Sequence, residues 1–258
     1  MLKSLDKEKK LLISNILLVL AALILIGGII FVGSDIIKRN QRQEKIDEGT
    51  DIIQQAIDAN ASSQGASDDD ILEPVVTMVI DPSSLEISGE DYDYYPVWDD
   101  ETAEQIRAVN DELNEANTGS MVIEGVGILE IPSIELRVPI WEGTRWQILR
   151  YGVGHYYASV IPGGYGNCTI LGHHMLKYGS IFNRLEEVQI GDEIIITDVR
   201  SHVYTYIVDE LDVVTADDLI NHVNGGITDT RQVTLVTCVY TSTGKQRLLV
   251  IGHIQDGA

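Results

Sequence analysis

Basic residues are scarce in this chain: 18 Lys and Arg stand against 40 Asp and Glu, for a formal net charge of −22 and a pI near 4.4. That balance disfavours nucleic-acid binding, because phosphate contacts need clustered Lys and Arg. The deficit is unevenly placed. From Ile46 to Ser120 there are about twenty acidic residues and one basic, Arg107, whereas Ile123 to Ala258 is only mildly acidic. Cysteine is scarcer still, with Cys168 and Cys238 alone. No His-Glu-x-x-His run offers zinc ligands at helical spacing, no loop has EF-hand spacing for calcium, and no internal repeat is found. No metal or cofactor is therefore expected.

What is present begins with a membrane-span pattern. Leu11 to Ser34 carries no charge over about 24 residues rich in Leu and Ile, and at about 1.5 Å per residue such a helix exceeds the roughly 30 Å hydrocarbon core. A cleavable signal peptide would have a shorter apolar region and a small-x-small site, which Phe31-Val-Gly-Ser34 does not supply. Lys3, Lys7, Lys9 and Lys10 precede the run and Lys38, Arg39, Arg42 and Lys45 follow it, so the positive-inside rule barely discriminates orientation. The expected organisation is a cytoplasmic N-terminus (1–10), placed inside by the enzymatic reading of the rest of the chain rather than by charge, a transmembrane helix (11–34), an acidic juxtamembrane spacer (35–120) and a folded domain (121–258). Within the spacer, Ile52, Ile53, Ala56 and Ile57 suggest a short amphipathic helix, Ala61 to Asp70 is linker-like, and Glu101 to Ala116 reads as another helix.

The last 135 or so residues make an ordinary domain with short apolar runs separated by Gly, Pro, Asn and Asp, the pattern of an antiparallel barrel or sandwich. Expected strands are Ile128–Ile131, Arg137–Ile140, Thr169–Leu171, Glu193–Thr197, Val203–Glu210, Val233–Thr237 and Arg247–Ile251. The last two flank a turn-like segment, Tyr240 to Lys245, and read as a hairpin. Residues equidistant from a hairpin turn face each other about 5 Å apart, so Cys238 and Arg247 are expected to be opposite one another.

Those two residues, with His173, have the chemistry of acyl transfer at a thiol. A cysteine attacks a carbonyl as its thiolate and needs a neighbour that exchanges protons near neutrality, which histidine does. Arginine keeps its charge and can only donate hydrogen bonds, which suits it to an oxyanion. His173 has to arrive from a third strand.

At these residues the chain resembles the sortase family, membrane-anchored cysteine transpeptidases of the Gram-positive cell envelope. The TLxTC motif reads Thr234-Leu-Val-Thr-Cys238, the GH motif reads Gly172-His173, and the downstream strand arginine is Arg247. Gly127 to Pro132, Val138-Pro-Ile140 with Gly143, and Gly152-Val-Gly-His155 are also similar to the family from about Ile123 onward. The resemblance implies a mainly β fold, an eight-stranded sortase-type β-barrel with short helices. It implies that Cys238 attacks an LPxTG-like sorting signal to form a thioester, that His173 is general acid and then base, and that Arg247 holds the substrate and oxyanion. The implied partners are secreted surface proteins or pilins with a C-terminal sorting signal, and an amine on a peptidoglycan precursor or a pilin lysine. The implied location is the cell membrane, single-pass, with the catalytic domain outside. Thr215 to Thr230 corresponds to the family's substrate-recognition loop.

Within the family, the nine-residue interval from Cys238 to Arg247 and the Arg247–Gly252 tail are similar to the pilin-type, class C-like group. His173-His174-Met175 followed by Gly179-Ser-Ile-Phe182 is reminiscent of other groups. Some pilin-building sortases carry an Asp-Pro-aromatic lid. Here Asp81-Pro82 is followed by Ser83, and Tyr92, Tyr94, Tyr95 and Trp98 beside Asp99 and Asp100 form a less motif-like candidate, with packing of the spacer on the barrel as the simpler reading.

Each residue also has a plainer reading. Cys238 alone would be a buried strand cysteine, Arg247 a solvated edge residue, and His155, His202, His222 and His253 match no motif and are taken as structural or surface residues. Cys168 lies five residues before His173, roughly 16 Å along a strand, whereas disulfide partners need Cα atoms within about 7 Å. It is read as a core residue. The alternatives to a transpeptidase are a secreted cysteine peptidase, a zinc hydrolase using His173 and His174, and a non-enzymatic envelope scaffold.

Overall fold

The computed structural model describes residues 2–62, 75–81, 120–174, 181–223, 228–242 and 244–255. Most of the expected linker, the helix at Glu101–Ala116, Pro82, and the Tyr92–Trp98 aromatics with Asp99 and Asp100 lie outside the described residues. The chain divides into two units, Met1–Gln41 and Arg42–Ala258. One uninterrupted helix, α1 (Leu2–Ser62), accounts for the first and begins the second.

In the first unit, the apolar side chains described between Leu12 and Ile26 are all exposed, Leu12 at 61% and Ile24 at 75%. Among the described residues no helix is long and apolar enough to cross a membrane. Several side chains of the run at 11–34, including those of 29–32, are outside the description.

The second unit is built on β-strands. They are β1 (Thr77–Ile80), β2 (Met121–Ile131), β3 (Leu136–Glu142), β4 (Val153–His155), β5 (Gly166–Leu171), β6 (Glu193–Asp198), β7 (Val203–Val214), β8 (Arg231–Thr241) and β9 (Gly244–His253). A five-residue helix, α2 (Leu219–Val223), lies between β7 and β8. Neighbours run in the order β1-β2-β3-β4-β5-β8-β9-β7-β6, and β6 also pairs with β2. Strands β2 to β9 thus close into the expected ring of eight, with β1 added to the N-terminal part of β2 as a ninth. The expectation of antiparallel pairing needs correcting at two places. Strands β3 and β4, and β5 and β8, pair in parallel.

Alternation explains which residues go inside. Period-two side chains from β5, β8 and β9, such as Cys168, Ile170, Val233, Leu235, Leu248 and Val250, meet in the barrel interior. A second cluster covers β2 and β3 from outside, where Ile53 and Ile57 of α1 pack with Met78, Ile123, Ile128 and Trp141. The amphipathic pattern around Ile53 thus buries its apolar stripe as expected. Ile123 and Ile128 differ in parity yet share this outer face, because the register slips between Gly125 and Gly127 and a bulge reverses the alternation.

Ring closure depends on Gly127. A Cβ there would stand 2.3 Å from the Thr197 carbonyl oxygen on β6, a backbone atom that cannot step aside. Gly127→Ala is therefore expected to cost about 1–3 kcal/mol, the range for overpacking, read as a lowered midpoint in urea; an unchanged midpoint would show that β2 and β6 can separate freely.

Candidate active site

Strand β8 carries the sequence Arg231–Thr241 and turns directly into β9. Thr241 pairs with Gly244, whose positive φ of 116° suits glycine. The hairpin is tighter than the Tyr240–Lys245 turn expected from sequence. Its register sets Cys238 opposite Arg247.

His173 reaches the same level from the other side of β8. Strand β5 runs parallel to β8 with Leu171 beside Val236. The pairing persists beyond β5, since the Gly172 amide donates to the Val236 carbonyl at 3.0 Å and the Thr237 hydroxyl donates to the Gly172 carbonyl at 2.8 Å. Extending that register by two residues aligns His173 with Cys238. Neighbouring strands lie about 4.8 Å apart, so the three residues span about 10 Å across three adjacent strand ends. The parallel pairing is what makes this possible: β5 and β8 deliver His173 and Cys238 at the same end of the barrel, and antiparallel β9 carries Arg247 there in its first half.

The three also belong to one face. Laterally paired residues project to the same side of a sheet, and Leu171, Val236, Cys238, Leu249 and Ile251 form one cluster on the outside of the barrel. His173, Cys238 and Arg247 are 4%, 5% and 4% exposed, so each polar group sits at the margin of an apolar, largely water-excluded patch. In such a setting charge–charge and charge–dipole interactions are stronger than in water.

Two motif residues act as supports. Thr237 bonds Gly172, as above, which ties the TLVTC strand to the segment bearing His173. A Cβ on Gly172 would stand 2.4 Å from the buried Phe182 ring, and the Phe182 amide donates to the His173 carbonyl at 3.1 Å. Phe182 thus needs glycine beneath it in order to return the chain onto His173. Gly172→Ala is expected to displace either the ring or His173 and lower turnover by about tenfold or more, since misplacement by about 1 Å can cost 10²-fold. Wild-type turnover in this variant would show that the Phe182 contact does not set the position of His173.

The two cysteines differ in every respect that matters to a nucleophile. Both are free and buried. Cys168 faces the barrel interior, where burial, helped by the negative charge of Glu142, pushes its thiol far above the ordinary range. It stays protonated and inert at neutral pH. Cys238 faces outward on the opposite side of the sheet, with the apolar cluster around Leu171 and Val236.

Four of the other histidines have acidic partners of their own. His155 is bound by Glu142 at 2.8 Å through Nδ1 and by the Val160 carbonyl at 3.0 Å through Nε2. His202 pairs with Asp198 and His253 with Asp209. His174 approaches Glu186 at 3.7 Å. Among the described residues no group of His, Cys, Asp and Glu is placed to hold a metal ion.

Helix α2 closes the apolar face. Its Leu219 and Val223 are buried in the cluster that contains Cys238. It occupies the middle of the Thr215–Thr230 segment, of which 224–227 lie outside the described residues. Asn167 and Thr169, which sequence reasoning passed over, are buried polar residues directed at this helix. Their signal was polar residues at alternating positions of an otherwise apolar strand.

The model for the sortase domain family matches residues 129–255, which takes in all three residues of the constellation. Sortase A of Streptococcus agalactiae is 34% identical over 146 residues, covering 54% of this chain and 57% of that protein. The sortase-like YwpE of Bacillus subtilis is 30% identical over 97 residues, covering 36% of this chain and 87% of that protein. The chain belongs to the sortase family. A solved structure of a Clostridium perfringens sortase D5 transpeptidase is also similar, at 26% identity and a TM-score of 0.46, over 64% of this chain and 92% of that one. The chain spans little more than half the length of the streptococcal sortase. Its mainly β barrel and few helices are those expected of a sortase.

Proposed function

We propose that this sortase is a membrane-anchored cysteine transpeptidase that cleaves an LPxTG-like sorting signal and transfers the acyl fragment to an amine. The observation that carries the reading is the register across β5, β8 and β9, with Cys238 opposite Arg247 and His173 at the matching end of the parallel strand. In this mechanism the Cys238 thiolate adds to the peptide carbonyl, and the oxygen takes up negative charge within reach of the Arg247 guanidinium. The C–N bond then breaks, His173 gives its proton to the departing amine, and a thioester remains on Cys238. An incoming amine loses a proton to His173, attacks the thioester and leaves as an amide, which regenerates the thiolate.

Several features support the finer points. The uncharged run at 11–34, with its exposed leucines and isoleucines, supports an anchor in the cell membrane, and the acyl-transfer reading, whose substrates are secreted, sets the N-terminus inside and the catalytic domain outside. The nine-residue interval between Cys238 and Arg247 supports a pilin-type, class C-like enzyme. Its substrates are then secreted pilins or surface proteins, and its acceptor is a pilin lysine or a peptidoglycan amine. Product analysis with and without an added amine tests the reaction type: a new amide that replaces the free acid supports transpeptidation, and free acid alone in both cases makes the enzyme a cysteine peptidase.

A further inference from the structure

Helix α2 is five residues long, too short to hold its own shape, since isolated helices below about 12 residues are marginal in water. Its position in the cluster that contains Cys238 must come from anchors. At its front, Thr215 and Asp218 bond each other, with the Asp218 amide on the Thr215 hydroxyl at 3.2 Å and the two side chains 3.0 Å apart. At its back, the last carbonyls of any helix lack partners within the helix. Here the barrel supplies them. The Asn167 amide nitrogen donates to the His222 carbonyl at 2.8 Å, and the Thr169 hydroxyl donates to the Val223 carbonyl at 3.1 Å.

These two donors are themselves fixed. Asn167 is 8% exposed and Thr169 fully buried, and both stand on the face of β5 that continues through Leu171 to His173. The Asn167 side-chain oxygen Oδ1 accepts from the Thr234 hydroxyl at 2.8 Å, and the Thr234 hydroxyl accepts from the Gln232 side-chain amide at 3.0 Å. Gln232 in turn meets His253 at 3.2 Å, and His253 meets Asp209 at 2.7 Å. A polar chain therefore crosses β7, β9, β8 and β5 and ends on the back of α2. A direct role in bond making is excluded by distance, because Asn167 is six residues before His173, about 20 Å along a strand.

We propose that Asn167 and Thr169 are positioning residues that set α2 as a wall of the acyl-donor site beside Cys238, and so govern how tightly the sorting-signal peptide is held rather than how fast it reacts. The inference rests on the acyl-transfer reading above. Leu219 and Val223 share a cluster with Cys238, so a shift of α2 changes the shape of the apolar surface on which the peptide would lie. Strand β5 thus carries both functions: its two polar residues fix the wall, and its C-terminal extension brings in His173.

The test uses the full chain in detergent with Asn167→Ala, Thr169→Val and Thr169→Ser. Thr169→Val keeps the shape of the residue and removes the donor, while Thr169→Ser keeps the donor. Peptide KM and kcat are measured together with amide exchange over residues 215–223. Expected are a KM raised about five- to tenfold for Thr169→Val, the scale of one lost buried hydrogen bond, kcat within about twofold of wild type, faster exchange confined to 215–223, and near wild-type behaviour in Thr169→Ser. An unchanged KM with faster exchange, or a fall in kcat at constant KM, overturns the proposal. If Asn167→Ala does not fold, Thr169→Val still decides it. Wild-type protein that turns over no peptide while Thr169→Val still loosens 215–223 overturns the acyl-transfer reading instead, and leaves the anchoring of α2 standing.

Discussion

Cys238→Ala is expected to abolish transfer, with turnover lowered by at least about 10⁴-fold, the scale seen when a covalent nucleophile is removed. Cys168→Ser is expected to retain most activity. The contrast follows from the fold rather than from the thiols themselves. Adjacent β5 and β8 bring both cysteines into one sheet, but Cys168 points into the barrel interior and Cys238 points to the outer face. Burial keeps the first protonated, and serine is close enough in size to fill its place, at the cost of a polar atom in an apolar core. A thermal melt separates the two explanations for any loss: Cys238→Ala should melt near wild type while inactive. Equal losses of activity in two folded variants would remove Cys238 from its role.

His173→Ala is expected to lower turnover by about 10²–10⁴-fold, the usual weight of a positioned acid and base. Arg247→Ala should cost about 10²–10³-fold, as the loss of an oxyanion donor does. Arg247→Lys should not restore it, because a lysine has the charge but not the planar, forked set of donors. The two sites are predicted to differ in their response to the acceptor. Loss of His173 impairs both proton transfers, including deprotonation of the incoming amine, so added amine gives little recovery. Loss of Arg247 weakens stabilisation of the oxyanion, so single-turnover acylation slows at every amine concentration. Full activity in either variant would contradict the assigned chemistry.

The Cys238–Arg247 pairing was legible from sequence because register depends on the centre of a hairpin turn and not on its width. The expected turn at Tyr240–Lys245 was too wide, yet its midpoint is that of the observed Thr241–Gly244 connection, so the facing pair is unchanged. His173 was legible as a motif residue but not as a neighbour. It arrives on a parallel strand, and the pairing of β5 with β8 spans more than sixty residues of intervening chain that no local pattern reports. The same blindness to distant partners explains β1: Thr77–Ile80 alternates exposed and buried residues, but its acidic surroundings read as spacer. It also explains the short reading of β2, whose first residues are strand because β1 pairs with them. The helix around Ile53 was expected to be short, whereas α1 runs to Ser62 as one element from Leu2, because charged residues do not stop a helix. Asn167 and Thr169 were missed because their partners are backbone carbonyls of α2.

The central claim is a thioester at Cys238, and intact mass of the protein with a panel of LPxTG-like peptides tests it most directly, with Cys238→Ala as control. The account predicts a mass gain equal to the N-terminal peptide fragment, cleared by an added amine and absent from Cys238→Ala. No gain and no peptide turnover across the panel, or an equal gain in Cys238→Ala, would contradict it.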